Sequence, residues 1–108
     1  MPAISGWLKS SSATKFVAAF MKNGRQFVVA GTFANSVHHP VQVSNATLIY
    51  SHENVLAGMR DLTTTVGITQ FIVNSTIPPP DYISIIGTLD VPTAQVLQSP
   101  GNGSWVEN

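Results

Sequence analysis

From Phe16 to Phe33 the chain alternates in a way that predicts two strands: Phe16, Ala18, Phe20, Phe27 and Val29 fall on one face, and Val17, Ala19, Met21, Val28 and Ala30 on the other. Asn23-Gly24 lies between them. A two-residue type I′ turn needs φ > 0 at both central residues, and Asn and Gly adopt that conformation at the lowest cost. The turn sets Lys22 opposite Arg25 and Phe20 opposite Phe27. Because both faces are apolar, the hairpin is expected to be covered on both sides. A helix over residues 12–22 stopped at Gly24 is the competing reading.

The pattern continues beyond a loop over residues 34–40. A third strand is predicted from Val41 to Tyr50, but its phase slips: Val41 and Val43 share one face, and Ala46, Leu48 and Tyr50 the other. A bulge near Ser44-Asn45 restores a single apolar face. The spacing of Val55, Leu56, Met59 and Leu62 predicts a short helix over 51–62, capped by Ser51 and weakened by Gly58. Residues 63–74 return to strand composition. Pro78-Pro79-Pro80 predicts an extended linker, 82–89 a strand and 94–98 a sixth strand. Residues 1–14 read as an arm pinned by Trp7. Residues 99–108, with Pro100, Gly101 and Gly103, read as a flexible tail ending near Trp105.

The fold expected is therefore mainly β (α+β): a small antiparallel barrel or two-layer sheet of five or six strands, with one short helix between strands three and four. All 108 residues make one domain. No internal repeat is visible.

Composition narrows the function. Charged residues are only 9%, against about a quarter in an average domain. Such a surface suits self-association and neutral partners, and five cations are too few for a nucleic-acid interface. Lys9, Lys15, Lys22 and Arg25 precede residue 26 with no acid among them. Glu53, Asp61, Asp81, Asp90 and Glu107 follow with only Arg60 against them, so the halves carry +4 and −4. Head-to-tail packing of copies is one expectation from that asymmetry. With no cysteine there is neither a disulfide framework nor a thiolate site. No stretch reaches membrane-spanning length, and no signal-peptide core precedes Lys9, so the expected location is cytoplasmic, or secreted without a recognisable signal. Asn45, Asn74 and Asn102 begin N-x-S/T sequons, the number that Ser/Thr-rich composition alone comes close to producing.

Catalytic patterns are sparse. His38 and His39 are neighbours and diverge if extended, and His52-Glu53 diverge likewise, so no metal or cofactor is expected. Ser51-His52 lacks a nucleophile elbow. A histidine paired with a carboxylate is the remaining route to a small enzyme. Gln26 to Gly31 resembles the Gln-x-Val-x-Gly loop of cystatins, but one extra residue puts it out of register. An N-terminal proline tautomerase is set aside because Gly6 and a serine run replace its strand and helix.

Binding is the leading expectation. Trp7, Tyr50, Tyr82 and Trp105 offer rings that stack on apolar sugar faces, and Asn35 and Asp81 offer hydrogen bonds to hydroxyls. A neutral, cysteine-free, Ser/Thr/Asn-rich β-protein resembles small cytoplasmic lectins of fungi and bacteria in composition. That resemblance implies a non-catalytic oligomer binding neutral glycans. A self-assembling coat or filament subunit is the alternative. In either case the chain's partner is itself, as a homodimer or higher oligomer, and neither membrane nor nucleic acid.

Overall fold

The computed structural model describes residues 3–34, 40–92 and 96–107. Eight antiparallel strands close a barrel: β1 (Ala3–Ser12), β2 (Lys15–Lys22), β3 (Arg25–Thr32), β4 (Gln42–Tyr50), β5 (Gly58–Val66), β6 (Gln70–Ser75), β7 (Ile83–Thr88) and β8 (Leu97–Glu107). Around the barrel they run β1-β2-β3-β8-β5-β6-β7-β4, with β4 returning to pair with β1. The first four strands thus lie in the order 4-1-2-3 and the last four in the order 8-5-6-7. Each set is a Greek key. The two seams between them, β3–β8 and β7–β4, are equivalent under exchange of the halves. This topological two-fold has no counterpart in a sequence repeat.

The hairpin forms as its turn chemistry predicts. Asn23 has φ 52° and Gly24 φ 79°. Lys22 pairs with Arg25 and Phe20 with Phe27. Phe16, Ala18, Phe20, Phe27 and Val29 point into the barrel and are buried. Within one molecule the outer face of the hairpin is only partly covered: Ala19 is buried, Val17 and Val28 are half-buried, and Met21 and Ala30 are exposed. Closure also leaves no open sheet edge between these eight strands, which removes edge pairing as a route to self-association.

The bulge in β4 lies where the phase slip puts it. Gly6 pairs with Ala46 and Leu8 with Val43, so Trp7 alone faces both Ser44 and Asn45. As a result Val41, Val43, Ala46, Leu48 and Tyr50 are all buried.

Three expectations are corrected. The helix over 51–62 is only a single 3₁₀ turn, Glu53–Val55, followed by β5. Gly58 has φ +75°, a conformation that ends a helix, and the apolar stripe divides there. Val55 and Leu56 are buried at the mouth of the barrel and Leu62 along β5, while Met59 points outward at 67% exposure. The arm over 1–14 contains β1, a full strand between β2 and β4. The tail over 99–108 contains most of β8, which is inserted between β3 and β5. Its glycines allow this close approach. A Cβ on Gly101 would overlap the Thr32 carbonyl, and one on Gly103 would lie 2.8 Å from Leu62 Cδ1 and 2.9 Å from Val29 Cγ2. The expected sixth strand over 94–98 falls partly outside the described residues, and Leu97 and Gln98 begin β8. The triple proline belongs to the β6–β7 connection and folds back, with the Asp81 N–H donating to the Pro78 carbonyl at 3.2 Å.

The charge asymmetry is largely satisfied within one molecule. At the barrel end that holds the Asn23-Gly24 turn, Arg25 donates to both oxygens of Glu107 at 2.7 Å and also to Glu53. Lys22 lies 3.5 Å from Glu53 and donates to the Tyr50 hydroxyl at 3.2 Å. Two cations of the positive half and two acids of the negative half are thereby paired. The head-to-tail expectation loses that share of its driving force.

Candidate functional site

The β4 bulge shapes the outside of the barrel as well as the inside. A residue opposite a bulge is re-aimed relative to the regular pleat. Trp7 sits at that position and is 40% exposed, whereas the other tryptophan, Trp105, is 2% exposed. Trp7, Leu8, Lys9, Gln42, Val43 and Ser44 line a depression of about 310 Å³ on the barrel wall.

Asp90, just after β7, fixes the rim of this depression. It accepts from the Ser44 N–H at 2.9 Å and from the Ser44 hydroxyl, and its own N–H donates to the Gln42 carbonyl at 2.9 Å. The two Ser44 hydrogen bonds, side chain first, hold the Asp90 carboxyl below its ordinary pKa. Across the depression the Lys9 ammonium stands 5.5 Å from the Trp7 ring centroid, a cation–π contact. The result is an aromatic platform beside hydrogen-bonding groups. That set can bind a ligand with one apolar face and a rim of hydroxyls. Its one hydroxyl, Ser44, is paired with the Asp90 carboxylate, whose lowered pKa makes it a weak base.

The second cluster lies at the barrel end with the Asn23-Gly24 turn. His52 Nε2 is 3.0 Å from Asp81 Oδ1, and the Ser51 hydroxyl donates to the same oxygen at 3.3 Å. Ser51 Oγ also accepts from the Tyr82 N–H at 3.2 Å. In a nucleophilic triad the histidine stands between serine and acid. Here the acid stands between serine and histidine, so the histidine is not placed to take the serine's proton. The cluster instead ties β4 to the β6–β7 connection, helped by the Ser51 N–H bond to the Tyr82 carbonyl at 3.1 Å.

The ligand-binding residues expected from sequence are therefore dispersed. Trp7 is on the wall. Asp81 and Tyr82 meet at the barrel end, and Tyr82 is half-buried there. Tyr50 and Trp105 are both buried, and their rings belong to the core. Asn35, like His38 and His39, lies outside the described residues. Lys9, Gln42, Ser44 and Asp90 carry no motif of their own in the sequence. The available signal was the phase slip at Ser44-Asn45, which marks an irregularity on the wall, but only the pairing of β1 with β4 shows that Trp7 faces it.

Among the described residues no group of three or more histidines or carboxylates is placed to hold a metal ion. No helix among the described residues is long and apolar enough to cross a membrane. No protein family, no curated protein and no solved structure matches the chain.

Proposed function

We propose that the protein is a non-catalytic glycan-binding protein, lectin-like in activity, with Trp7 as its stacking platform. The observation that carries this reading is the exposed Trp7 at the β4 bulge, in a depression lined by Lys9, Gln42 and Ser44. A pyranose has one apolar C–H face and equatorial hydroxyls. The ring meets the first, and amide, hydroxyl and ammonium groups meet the second. Asp90 holds Ser44 in place before a ligand arrives, which lowers the ordering cost of binding. Lys9 must leave the ring for a sugar to stack on that side, at a cost of about 0.5–1 kcal/mol for an exposed cation–π contact. A single shallow site of this kind supports millimolar affinity, about −4 kcal/mol. The test is a glycan array read with the wild-type protein and with Trp7→Ala. Binding lost in the variant, with the barrel intact by circular dichroism, supports the reading. Equal binding by both proteins contradicts it.

A second reading, self-assembly, is favoured by a different observation. Trp7, Ala19, Val28 and Val106 are successive cross-strand neighbours on the outer wall of β1, β2, β3 and β8. They form an apolar row in which Ala19 is already buried and Trp7 and Val106 are exposed, with Met21, Val17 and Ala30 beside it. A second copy packed face to face on this wall would bury the row and take Trp7 out of solvent. The two readings use the same tryptophan in different ways. Sedimentation of wild type and Trp7→Ala separates them, because only assembly predicts that the variant becomes smaller.

A further inference from the structure

We infer that the glycan bound at the Trp7 depression is acidic, carrying a carboxylate or sulfate on the sugar that stacks. This inference rests on the glycan-binding reading above and specifies its ligand class.

The argument concerns which cations are already engaged. Lys22 and Arg25 are committed to Glu53, Glu107 and the Tyr50 hydroxyl at one end of the barrel. Arg60 donates to the Val55 carbonyl at 3.3 Å. That leaves Lys9 and Lys15, neither with a carboxylate partner among the described residues, and both belong to the wall beside Trp7. Lys9 pairs in register with Val17, and Lys15 lies two residues from Val17 on the same outward face of β2. Such diagonal neighbours are about 7–8 Å apart, within reach of two long side chains. The one acid at the depression, Asp90, has both oxygens on Ser44 and forms no ion pair with Lys9. Asp90 still carries its charge, which Lys9 offsets at the rim, and Lys15, one strand away on β2, adds a further unpaired cation to the wall. An ammonium resting on an indole face, in no ion pair among the described residues, is well placed to swing a few ångströms onto an acidic group of a stacked sugar. The same movement uncovers the ring. A neutral sugar displaces Lys9 without replacing its contact, whereas an acidic sugar supplies the missing partner.

The test uses gluco-, galacto- and mannuronate methyl glycosides, each beside its methyl ester, with the corresponding 6-sulfates as a third arm. Binding is followed by tryptophan fluorescence, in which only Trp7 is exposed to ligand. At low salt at least one acid should bind about fivefold more tightly than its ester, the scale of one exposed charge pair. Lys9→Met should abolish that preference, acid and ester then binding alike, and Lys9→Arg should restore it. About 0.5 M salt should erase it in wild type. Preference for the sulfate over the carboxylate would identify the acid type and also supports the inference. Equal affinity for acid and ester overturns the inference and leaves glycan binding standing. Absence of any response at millimolar sugar overturns both.

Discussion

Gly31 offers a sharp test of how the barrel is packed. It lies on β3 directly opposite Phe16, and a Cβ built there would overlap the Phe16 ring. The ring has little room to retreat. It is buried against Phe33, with centroids 5.1 Å apart, and against Phe71 at 6.2 Å. Gly31 is not among the positive-φ residues, so its backbone conformation suits alanine. Were the space open, Gly31→Ala would stabilise by about 0.4–1 kcal/mol through the unfolded chain. The overlap reverses the sign, and overpacking of this kind costs about 1–3 kcal/mol. Phe16→Leu, which shortens the ring side chain, should by itself cost about 1–2 kcal/mol. In the double variant the added methyl has somewhere to go. Gly31→Ala should therefore cost less there than in wild type, giving a coupling of about 1–2 kcal/mol between the sites. Urea unfolding of the four proteins measures this, provided the slope with denaturant stays constant. Costs that add within about 0.5 kcal/mol, or a stabilised single variant, would show that Gly31 does not lie under the Phe16 ring.

Further outcomes follow from the same structure. Phe20, fully buried and paired with Phe27, should cost about 3–5 kcal/mol on truncation to alanine, and a loss below about 1 kcal/mol in chemical unfolding would place it outside the core. Asp90 has a folded-state pKa below its unfolded value, so its contribution to stability is fully present above about pH 5 and disappears as pH falls through the folded value. Ser44→Ala removes the larger, side-chain part of that contribution and keeps the backbone bond, so its melting temperature should trail wild type at neutral pH and the gap should narrow as pH falls below about 4; a gap unchanged at acid pH would contradict the assignment. If copies associate through the apolar row on β1, β2, β3 and β8, sedimentation at micromolar protein should give the same dimer in low and high salt, whereas association that weakens with salt would favour the charged halves instead.

Much of the first Greek key could be anticipated from local chemistry. Asn23-Gly24 fixes a turn, the turn fixes the register, and the register pairs Phe20 with Phe27. The β4 bulge was equally legible, because one slip in the period of two leaves the inward set inconsistent without it. The second key was harder for physical reasons. Val55, Leu56, Met59 and Leu62 satisfy a helical period, and only the left-handed conformation at Gly58 divides them between a turn and a strand. Ser99-Pro100-Gly101-Asn102-Gly103-Ser104 has the composition of a link. Its place in β8 comes from its neighbours, since Thr32, Leu62 and Val29 press where side chains would be. Tertiary packing overrides local preference in such a segment. The candidate site was legible only as Trp7. Lys9 lies two residues along β1 on the same face, but the remaining members come from β4 and from the turn after β7, and no spacing in the chain brings them to Trp7 before β1 and β4 are paired.

The glycan reading is tested most directly by two-dimensional NMR of the labelled protein, titrated with the strongest array ligand. The account predicts that shifts concentrate on the Trp7 indole N–H and the backbone amides of Lys9, Gln42 and Ser44, while the Trp105 indole stays fixed. Shifts that avoid Trp7 and fall instead at Ser51, His52 and Asp81, or no shifts at a saturating concentration, would contradict it.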